Sequence, residues 1–357
     1  MVLYYFLLSS LLGQKYVEPQ TPVDPPEKAV EYAKKLGKKD HAIFAEKDLI
    51  TIVSRGKTNP VQIPDWFRVS AKESNGVWIA QVRYANAEQS FFTYRTLEKG
   101  VQTPHVFRGP KSIALFPETK KLKGQIFERT IESTAFGEDR KYRVYLPPGK
   151  SENLPAVYLG DGECEYFAKS LEPLITSGKV APVALVGISA GKYKGPQDKY
   201  DFMQDYRARE YLKVMDPEEF EKHLKLFSEE VVDACEKEFK FKSDRTSRSI
   251  CGYSNGAAFA LSAINLRPDR FKNAFVISLA ATDFDDLKTI AKNRDISVWL
   301  AAGRLESFMG NTRKAFAILT ENQIPAEIDE YESGHDLAMW RNAFLKRLQQ
   351  VYPGRKR

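Results

Sequence analysis

In the first third of this 357-residue chain, apolar and polar residues follow a pattern that differs from the rest. A helical period over residues 29–36 gives way to short runs with a period of two, which is typical of half-buried β-strands. These runs are residues 49–53, 77–84 and 91–95. Asn-Pro at 59–60 and Asn-Gly at 75–76 separate the runs and indicate turns. The pattern predicts a small β-sandwich domain over residues 27–116.

Residues 120–352 follow a second pattern, in which continuous apolar runs of strand length alternate with segments of helical period. The apolar runs are residues 154–159, 249–251 and 298–303, and the more polar segment 326–331 is also strand-like. Runs of this kind are typical of strands that helices cover on both faces. Residues 257–264 follow the second run closely and have the character of a buried helix. The alternation predicts an α/β domain.

The turn between that strand and that helix carries Gly-Tyr-Ser-Asn-Gly at residues 252–256. G-x-S-x-G between a strand and a helix is the pattern of a nucleophile elbow, whose tight turn exposes the serine hydroxyl. We expect glycine at 252 and 256 because side chains there would collide with the neighbouring strand and helix. An ordinary Gly/Ser turn before a buried helix is the alternative, and the rest of the chain decides between the two.

A single histidine, His335, lies C-terminal to Ser254, and it follows the run 326–331. Glu306 follows the run 298–303. The chain order Ser254, Glu306, His335, with each residue just past a predicted strand end, is the order of the serine–acid–histidine triad of α/β-hydrolases. Strand ends are also where open α/β sheets build their sites. The three placements together favour a nucleophilic serine over a structural turn.

Each member of this set has a chemical task. His335 would take the proton of Ser254 and return it to the leaving alcohol. Glu306 would fix the tautomer of the imidazole and stabilise its charged form. Asp336, next to the histidine, and Asp283, after an earlier strand, are the alternative acids. For Asp283 a helix-capping role is the preferred interpretation.

An oxyanion hole needs two backbone N–H groups near the nucleophile. The N–H of Asn255, the residue after the serine, is the first. The second is expected in the loop that follows the strand 154–159, from Gly162 or Glu163, because the two glycines there let the backbone approach a ligand. A simple turn is the alternative interpretation of that loop.

Four further motifs carry a resemblance to a known family. They are Arg140–Gly149 with its Pro-Pro-Gly ending, Leu159-Gly160-Asp161-Gly162, Arg207-Ala208-Arg209-Glu210-Tyr211, and Gly334-His335-Asp336 followed by Trp340-Arg341. In combination they resemble the esterase-D-like group of α/β-hydrolases, which includes enterochelin (ferric enterobactin) esterases and bacterial feruloyl esterases. The chain departs from the family in carrying Glu306 where feruloyl esterases have Asp, and Asn255 where many relatives have Gly or Met.

The resemblance implies an α/β-hydrolase fold with an N-terminal immunoglobulin-like β-sandwich that helps to shape access to the substrate. It implies ester hydrolysis without a metal or cofactor. Arg207 and Trp340 would contact or shape the substrate site, and an ion pair between Arg207 and Glu210 is the alternative for the arginine. Residues 192–227, rich in tyrosine, would form a lid over the site.

Composition agrees with a packed globular protein, with 43% hydrophobic and 12% aromatic residues. The net charge of +7 comes from lysines dispersed along helices, which favours a solvated face over a nucleic-acid surface. Trp66, Trp78 and Tyr94 could stack on sugar rings, but aromatic residues at strand spacing are more often core. The three cysteines, at 164, 235 and 251, lack metal-site spacing and are expected to be packed thiols, although one pair could close after export.

Residues 1–26 combine a short apolar run with a polar, proline-rich segment, which predicts a signal peptide followed by a linker. A buried first strand or a mis-set start is the alternative. The run is too short to span a bilayer, so stable membrane insertion is not expected. A periplasmic or secreted location follows from the prediction, with a cytoplasmic one as the alternative.

The sequence therefore predicts an exported serine esterase that acts on a small-molecule or carbohydrate-linked ester. Aromatic acyl esters, either catecholate siderophores or feruloyl esters, are the preferred class because of the aromatic lid and the two-domain plan. The alternatives are a carbohydrate acetyl esterase, an acyltransferase of the same fold, and a binding protein that has lost activity. No nucleic-acid partner is expected.

Overall fold

The computed structural model describes residues 21–23, 29–56, 59, 61–62, 71–74, 76–98, 100–193, 195, 201–290 and 295–354. Most of the predicted signal peptide and linker lies outside these residues, as do Trp66 and Tyr200. Residues 21–23 of the predicted linker instead form a strand, in which Pro22 pairs with Val82. That part of the linker therefore belongs to the N-terminal sheet.

The N-terminal unit is built from short antiparallel strands and one helix. Their bounds are β1 Thr21–Val23, α1 Ala29–Leu36, β2 His41–Glu46, β3 Leu49–Arg55, β4 Val61–Gln62, β5 Lys72–Ser74, β6 Val77–Arg83, β7 Phe91–Glu98 and β8 Val101–Arg108. In the described part of the chain, one sheet has the order β1-β6-β3-β2, with β5 also paired to β6, and a second has the order β4-β7-β8.

The two N-terminal sheets share a buried apolar cluster. Ile50 and Val82 come from the first sheet, and Phe92 and Phe107 from the second. Helix α1 covers the opposite face of the first sheet, where it buries Leu36. The predicted alternation is thus satisfied by two sheets that pack face to face. Trp78 and Tyr94 are both partly buried, as expected of residues that contribute to packing.

The C-terminal unit is an α/β domain. Its elements are β9 Gln125–Ser133, β10 Glu138–Leu146, β11 Ala156–Leu159, α2 Cys164–Thr176, β12 Ala184–Ile188, α3 Tyr206–Tyr211, α4 Pro217–Lys225, α5 Val232–Phe239, β13 Arg248–Tyr253, α6 Asn255–Leu266, β14 Asn273–Ile277, α7 Phe284–Lys288, β15 Ser297–Gly303, α8 Met309–Glu321, β16 Ala326–Tyr331 and α9 Leu337–Val351. A π-helical segment, Leu226–Val231, joins α4 to α5.

Eight of the described strands form one sheet in the order β16-β15-β14-β13-β11-β12-β10-β9. From β12 to β16 the neighbours are parallel, whereas β10 pairs antiparallel with both β9 and β12. Large apolar clusters lie on both faces of the sheet. Because the parallel strands end at one edge, the segments that follow β11, β13, β14, β15 and β16 are brought together there.

Most predicted elements of this domain are found where the pattern placed them. The predicted strand over 326–331 is β16, and the predicted helix over 257–264 lies within α6. Residues 201–227 of the predicted lid form α3 and α4 after a short 3-10 turn, and Tyr211, Phe220 and Leu224 are buried. This part of the segment is packed into the core. The three cysteines are buried free thiols.

Candidate active site

Ser254 lies at the sharp turn between β13 and α6. Its backbone has φ 57° and ψ −125°, a conformation that residues with a side chain rarely adopt. The N–H of Ser254 donates to the carbonyl oxygen of Ile277 on β14, at 3.0 Å. Strain of this kind persists only where the surroundings hold it, and the buried strand before the turn and the helix after it do so here. The predicted elbow geometry is present.

The two glycines of the elbow are not equivalent. A Cβ at Gly252 would overlap the carbonyl group of Gly256. A Cβ at Gly256 would meet nothing nearer than 3.6 Å, where its neighbours are the carboxylate of Asp161 and the ring of Tyr211. The expectation that both positions exclude a side chain is therefore correct for Gly252 and wrong for Gly256, because the turn brings only Gly252 against the start of α6.

Ser254, His335 and Glu306 form one hydrogen-bonded chain. The Ser254 Oγ lies 3.1 Å from His335 Nε2, and His335 Nδ1 lies 2.6 Å from Glu306 Oε2. A carboxylate only accepts, so Nδ1–H donates to Glu306 and leaves Nε2 to accept from the serine. The three residues follow β13, β16 and β15 respectively, as the chain order predicts. His335 keeps a partly exposed side chain, whereas Glu306 is 1% exposed.

The buried carboxylate of Glu306 has partners for both of its oxygens. Oε1 accepts from the Ser278 hydroxyl at 2.7 Å and from the Gly303 N–H at 2.8 Å. Oε2 accepts from His335. A buried carboxylate needs this satisfaction, because an unpaired charge in the interior is costly. Glu306 is thus held in one orientation before any substrate arrives.

Trp340 contacts residues next to both the acid and the nucleophile. Its Nε1–H donates to the Ser278 Oγ at 2.8 Å, and its ring stacks on Tyr253 with centroids 4.3 Å apart. Its ring is nearly perpendicular to the imidazole of His335, with centroids 4.7 Å apart. Trp340 is 8% exposed, so little of its surface is left for a substrate. Trp340 packs behind the histidine, and its contact with a substrate stays a prediction.

The alternative acids have other partners. Asp336 caps α9 by accepting from the N–H groups of Ala338 and Met339. Asp283 caps α7 in the same manner, as preferred from the sequence. Burial raises the pKa of Asp336 to about 6, even though its hydrogen bonds work against that rise. In the described structure Glu306 is the carboxylate that reaches the histidine.

The loop after β11 approaches the elbow from the neighbouring strand. Asp161 and Gly162 both have positive φ, 66° and 72°, in a tight turn. The N–H of Asp161 donates to the Tyr211 hydroxyl at 2.8 Å, which fixes the loop to α3. Asn255 begins α6, and its N–H is among the first-turn groups that have no acceptor within the helix. Gly162 and Asn255 therefore lie on the segments from which oxyanion donors were predicted.

Arg207 on α3 pairs with Asp161 of this loop. Its Nε lies 2.5 Å from Oδ1, and its Nη2 lies 2.8 Å from Oδ2. Burial opposes the charge of Arg207, but the hydrogen bonds and charge of Asp161 outweigh it and raise its pKa. The alternative pairing of Arg207 with Glu210 is wrong, because Glu210 binds Arg140 at 2.7 Å. Arg207 is placed at the loop next to the elbow, with 28% of its side chain exposed.

Comparison with known proteins agrees with this geometry. A family model described as "Putative esterase" matches residues 133–351, well over half of the chain. The chain belongs to this esterase family. It is a carboxylic ester hydrolase, and the family predicted from the motifs is confirmed.

Solved structures share the fold at low sequence identity. The enterobactin esterase from Shigella flexneri, determined in the presence of enterobactin, is 14% identical with a TM-score of 0.69, covering 91% of this chain and 98% of that chain. The ferric enterobactin esterase from Salmonella typhimurium is 15% identical with a TM-score of 0.69, covering 90% and 98%. A ferulic acid esterase from Anaeromyces mucronatus, in complex with ferulic acid, is 18% identical with a TM-score of 0.52, covering 66% and 93%.

Among the described residues, no group of three or more His, Cys, Asp and Glu side chains is arranged to hold a metal ion. Within the same residues, no helix combines the length and the apolar character that a membrane crossing requires.

Ser278, which was not predicted from the sequence, touches both Glu306 and Trp340. It comes directly after β14 and has φ 55°. A polar residue just past a buried strand was the available signal, the same signal that pointed to Glu306 and His335.

We predict that Gly252→Ala abolishes folding, because its Cβ has no space against the start of α6. Gly256→Ala is the matched control, since its Cβ would make ordinary contacts and alanine favours a helix. Soluble yield and thermal unfolding by circular dichroism measure both. A folded Gly252→Ala protein with an unchanged midpoint would contradict the packing argument.

We predict that Ser278→Ala lowers kcat about three- to thirtyfold on any ester, with little change in KM. The change removes a donor to Glu306 and leaves the Trp340 N–H without its acceptor, which also costs about 1–3 kcal/mol of stability. Ser170→Ala is the control, because this buried hydroxyl on α2 has no partner in the described structure. Equal kcat for both variants would show that the Ser278 hydroxyl does not support the acid.

We predict that Asp336→Asn changes how stability depends on pH. The folded-state pKa of about 6 lies above the ordinary aspartate value of 3.8, so the free energy of unfolding of the wild type falls as pH rises between these two values. Asparagine still caps the helix but does not titrate. The variant should therefore gain about 1–3 kcal/mol relative to the wild type between about pH 4 and pH 7 in urea unfolding. A pH-independent difference would contradict the raised pKa.

Proposed function

We propose that the protein is a serine esterase that works through an acyl-enzyme intermediate. Ser254 attacks the ester carbonyl while His335 takes the hydroxyl proton at Nε2. His335 then returns that proton to the departing alcohol oxygen. A water molecule, deprotonated in turn by His335, attacks the acyl carbon and releases the acid and Ser254. Glu306 keeps Nδ1 protonated and stabilises the imidazolium in both halves of the reaction.

The observation that carries this proposal is the unbroken hydrogen-bond chain from Ser254 through His335 to Glu306. The acid end is buried and fully satisfied, while the histidine keeps solvent access. A structural serine has no need of a strained backbone and a partly exposed histidine beside its hydroxyl. The proposed roles give each of these features a chemical reason.

We assign the oxyanion hole to the backbone N–H groups of Asn255 and Gly162. The first belongs to the N-terminal turn of α6, where N–H groups point outward and the helix dipole favours negative charge. The second lies in the turn after β11. The bidentate pair between Arg207 and Asp161 and the hydroxyl of Tyr211 hold that turn in place.

For the substrate, we propose an ester of an aromatic acyl group, either a catecholate siderophore or a feruloyl ester. Phe308 lies beside His335 with ring centroids 4.9 Å apart, and the partly exposed Arg207 could pair with a phenolic or anionic oxygen. The fold likeness to the two enterobactin esterases extends over about nine-tenths of this chain, N-terminal unit included. That likeness supports the catecholate class, whereas the likeness to the ferulic acid esterase covers 66%.

Two parts of the sequence prediction stay proposals. An immunoglobulin-like type for the N-terminal unit is supported by its two antiparallel sheets with a shared core. A periplasmic or secreted location rests on residues 1–26, most of which lie outside the described residues. Acyl transfer to another alcohol, acetyl-ester hydrolysis and a binding role without catalysis are the outcomes against which the proposal is tested.

We predict that Ser254→Ala reduces kcat at least a hundredfold on every ester that the wild type hydrolyses. Glu306→Gln should lower kcat by a factor of about 10²–10⁴, because a neutral amide no longer stabilises the charged imidazole. The control is Ser151→Ala, an exposed serine that precedes β11 at the opposite edge of the sheet. The panel is p-nitrophenyl acetate, methyl ferulate, a feruloylated oligosaccharide and ferric enterobactin, with product acids measured by chromatography.

The panel separates the alternatives. A higher kcat/KM on ferric enterobactin or the ferulates than on p-nitrophenyl acetate supports an aromatic acyl ester as the substrate. Whichever of ferric enterobactin and the ferulates has the higher kcat/KM identifies the substrate class. Preference for acetate favours the acetyl esterase. Ester products formed with an added alcohol would indicate a transferase. A wild type that is inactive on all four and equal to Ser254→Ala would overturn the proposal.

A further inference from the structure

The N-terminal unit is joined to the catalytic unit at the segment that carries His335. Strand β7 and the residues just before it lie along residues 332–336, which we call the histidine loop. The partners come from distant parts of the chain, since Phe91 and Ser333 are 242 positions apart. The contacts on the two sides of His335 differ in kind.

Backbone pairing joins the first half of the loop to β7. The N–H of Phe91 donates to the carbonyl oxygen of Glu332 at 3.0 Å, and the Ser333 hydroxyl donates to the carbonyl oxygen of Phe91 at 2.6 Å. The ring of Phe91 is 1% exposed and meets Tyr331 edge-on with centroids 6.3 Å apart. Phe91 therefore belongs to the core of the catalytic unit, although it lies on a strand of the N-terminal one.

Side chains of the N-terminal unit also hold Glu332. Its carboxylate accepts from the hydroxyl of Tyr84 and, at 3.1 Å, from Nδ2 of Asn86. Arg304, two residues before the acid Glu306, forms an ion pair with Glu332, with Nη1 3.5 Å from Oε1. The residue three positions before the histidine is thus bound from both units at once.

The second half of the loop is held through Asp336. One carboxylate oxygen accepts from the Thr93 hydroxyl of β7 at 3.3 Å, and the other lies 3.1 Å from the Ser333 hydroxyl. The same carboxylate caps α9. Because Asp336 follows His335 directly, the residues on both sides of the histidine make contacts that lead to the N-terminal unit.

From these contacts we propose that the N-terminal unit positions His335 for catalysis, with Thr93, Tyr84, Asn86 and the backbone of Phe91 as its positioning groups. This inference rests on the proposed role of His335 as the base. It makes the N-terminal unit a contributor to the rate of the chemical step on every ester, including esters too small to be recognised by that unit.

The physical reason is the geometry that proton transfer demands. His335 has to keep Nε2 near Ser254 and Nδ1 near Glu306 at the same time, and a loop residue has no helix or strand ladder to hold it. The catalytic unit supplies one side of the support, where the N–H of Leu305 donates to the carbonyl of Ser333 at 3.0 Å. Strand β7 supplies the other side. A base that is misplaced by a fraction of an ångström loses rate without losing substrate affinity.

The test compares the paired variant Tyr84→Phe/Thr93→Val with two controls. Thr93→Ser keeps the hydroxyl, and Thr103→Val makes the same exchange at an exposed position on β8. The readouts are kcat and KM on p-nitrophenyl acetate, the rate at which a small fluorophosphonate labels Ser254, and the imidazole ¹⁵N resonances. Four histidines give a simple spectrum, in which His335→Ala identifies the signal of His335.

We expect the paired variant to lower kcat and the labelling rate about three- to tenfold, with KM changed less than twofold and the His335 resonance shifted. Thr93→Ser should retain most of the activity that Thr93→Val loses, and Thr103→Val should leave kcat unchanged. Thermal unfolding confirms that each variant is folded. If the pair does not fold, the single variants Thr93→Val and Thr93→Ser carry the comparison.

Two results would overturn the inference. One is an unchanged kcat together with an unchanged His335 resonance, and the other is a rise in KM alone, which would make these groups substrate contacts. Failure of the proposed function has a different signature, since a wild type without Ser254-dependent hydrolysis fails before any variant is compared. In that case the ¹⁵N resonance of His335 still reports whether contacts with the N-terminal unit position the imidazole. An unshifted signal would reject that positioning role.

Discussion

Burial of one carboxylate, that of Glu306, is the constraint on which the rest of the site depends. A charge that is 1% exposed is stable only where each oxygen accepts hydrogen bonds, and here the donors are Ser278, Gly303 and His335. These donors follow or end three different strands, so the acid is satisfied only when β14, β15 and β16 end at one edge in the correct register. The sheet that satisfies the carboxylate also brings His335 within reach of Ser254.

Two stacked aromatic rings, Trp340 and Tyr253, hold the members of the site in place. Trp340 stacks on Tyr253, the residue before the nucleophile, and donates to Ser278 on the acid side. Tyr253 in turn donates to Glu163 at 2.8 Å, beside the predicted oxyanion loop. Both rings are buried, and hydrogen bonds in such low-dielectric surroundings are stronger than in water. Nucleophile, acid and oxyanion loop are therefore coupled through the same two rings.

Local patterns predicted what local patterns can determine. Apolar runs located the strands, and polar residues just past their ends identified Ser254, Glu306 and His335 together with their chain order. The partners of Arg207 and Trp340 could not be predicted, because each depends on which distant segments the fold brings together. The space around Gly256 could not be predicted either, since a glycine in a sequence motif does not show whether a Cβ would fit at that position. Ser278 carried a usable signal, its place after a strand, but no motif marked it as part of the triad's surroundings.

Strand β7 explains how a separate unit becomes part of this arrangement. Successive side chains on a strand point to opposite faces, so Phe92 packs inside the N-terminal sandwich while Phe91 and Thr93 face the catalytic unit. One strand thereby contributes side chains to two cores, so the N-terminal unit cannot shift against the catalytic unit without also moving the histidine loop. Ordering a loop costs about 1–2 kcal/mol of conformational entropy per residue, and a strand that is already fixed by its own sheet offsets that cost before the substrate binds. The position of the base is then a property of both units, even though every residue of the Ser254–His335–Glu306 chain belongs to one.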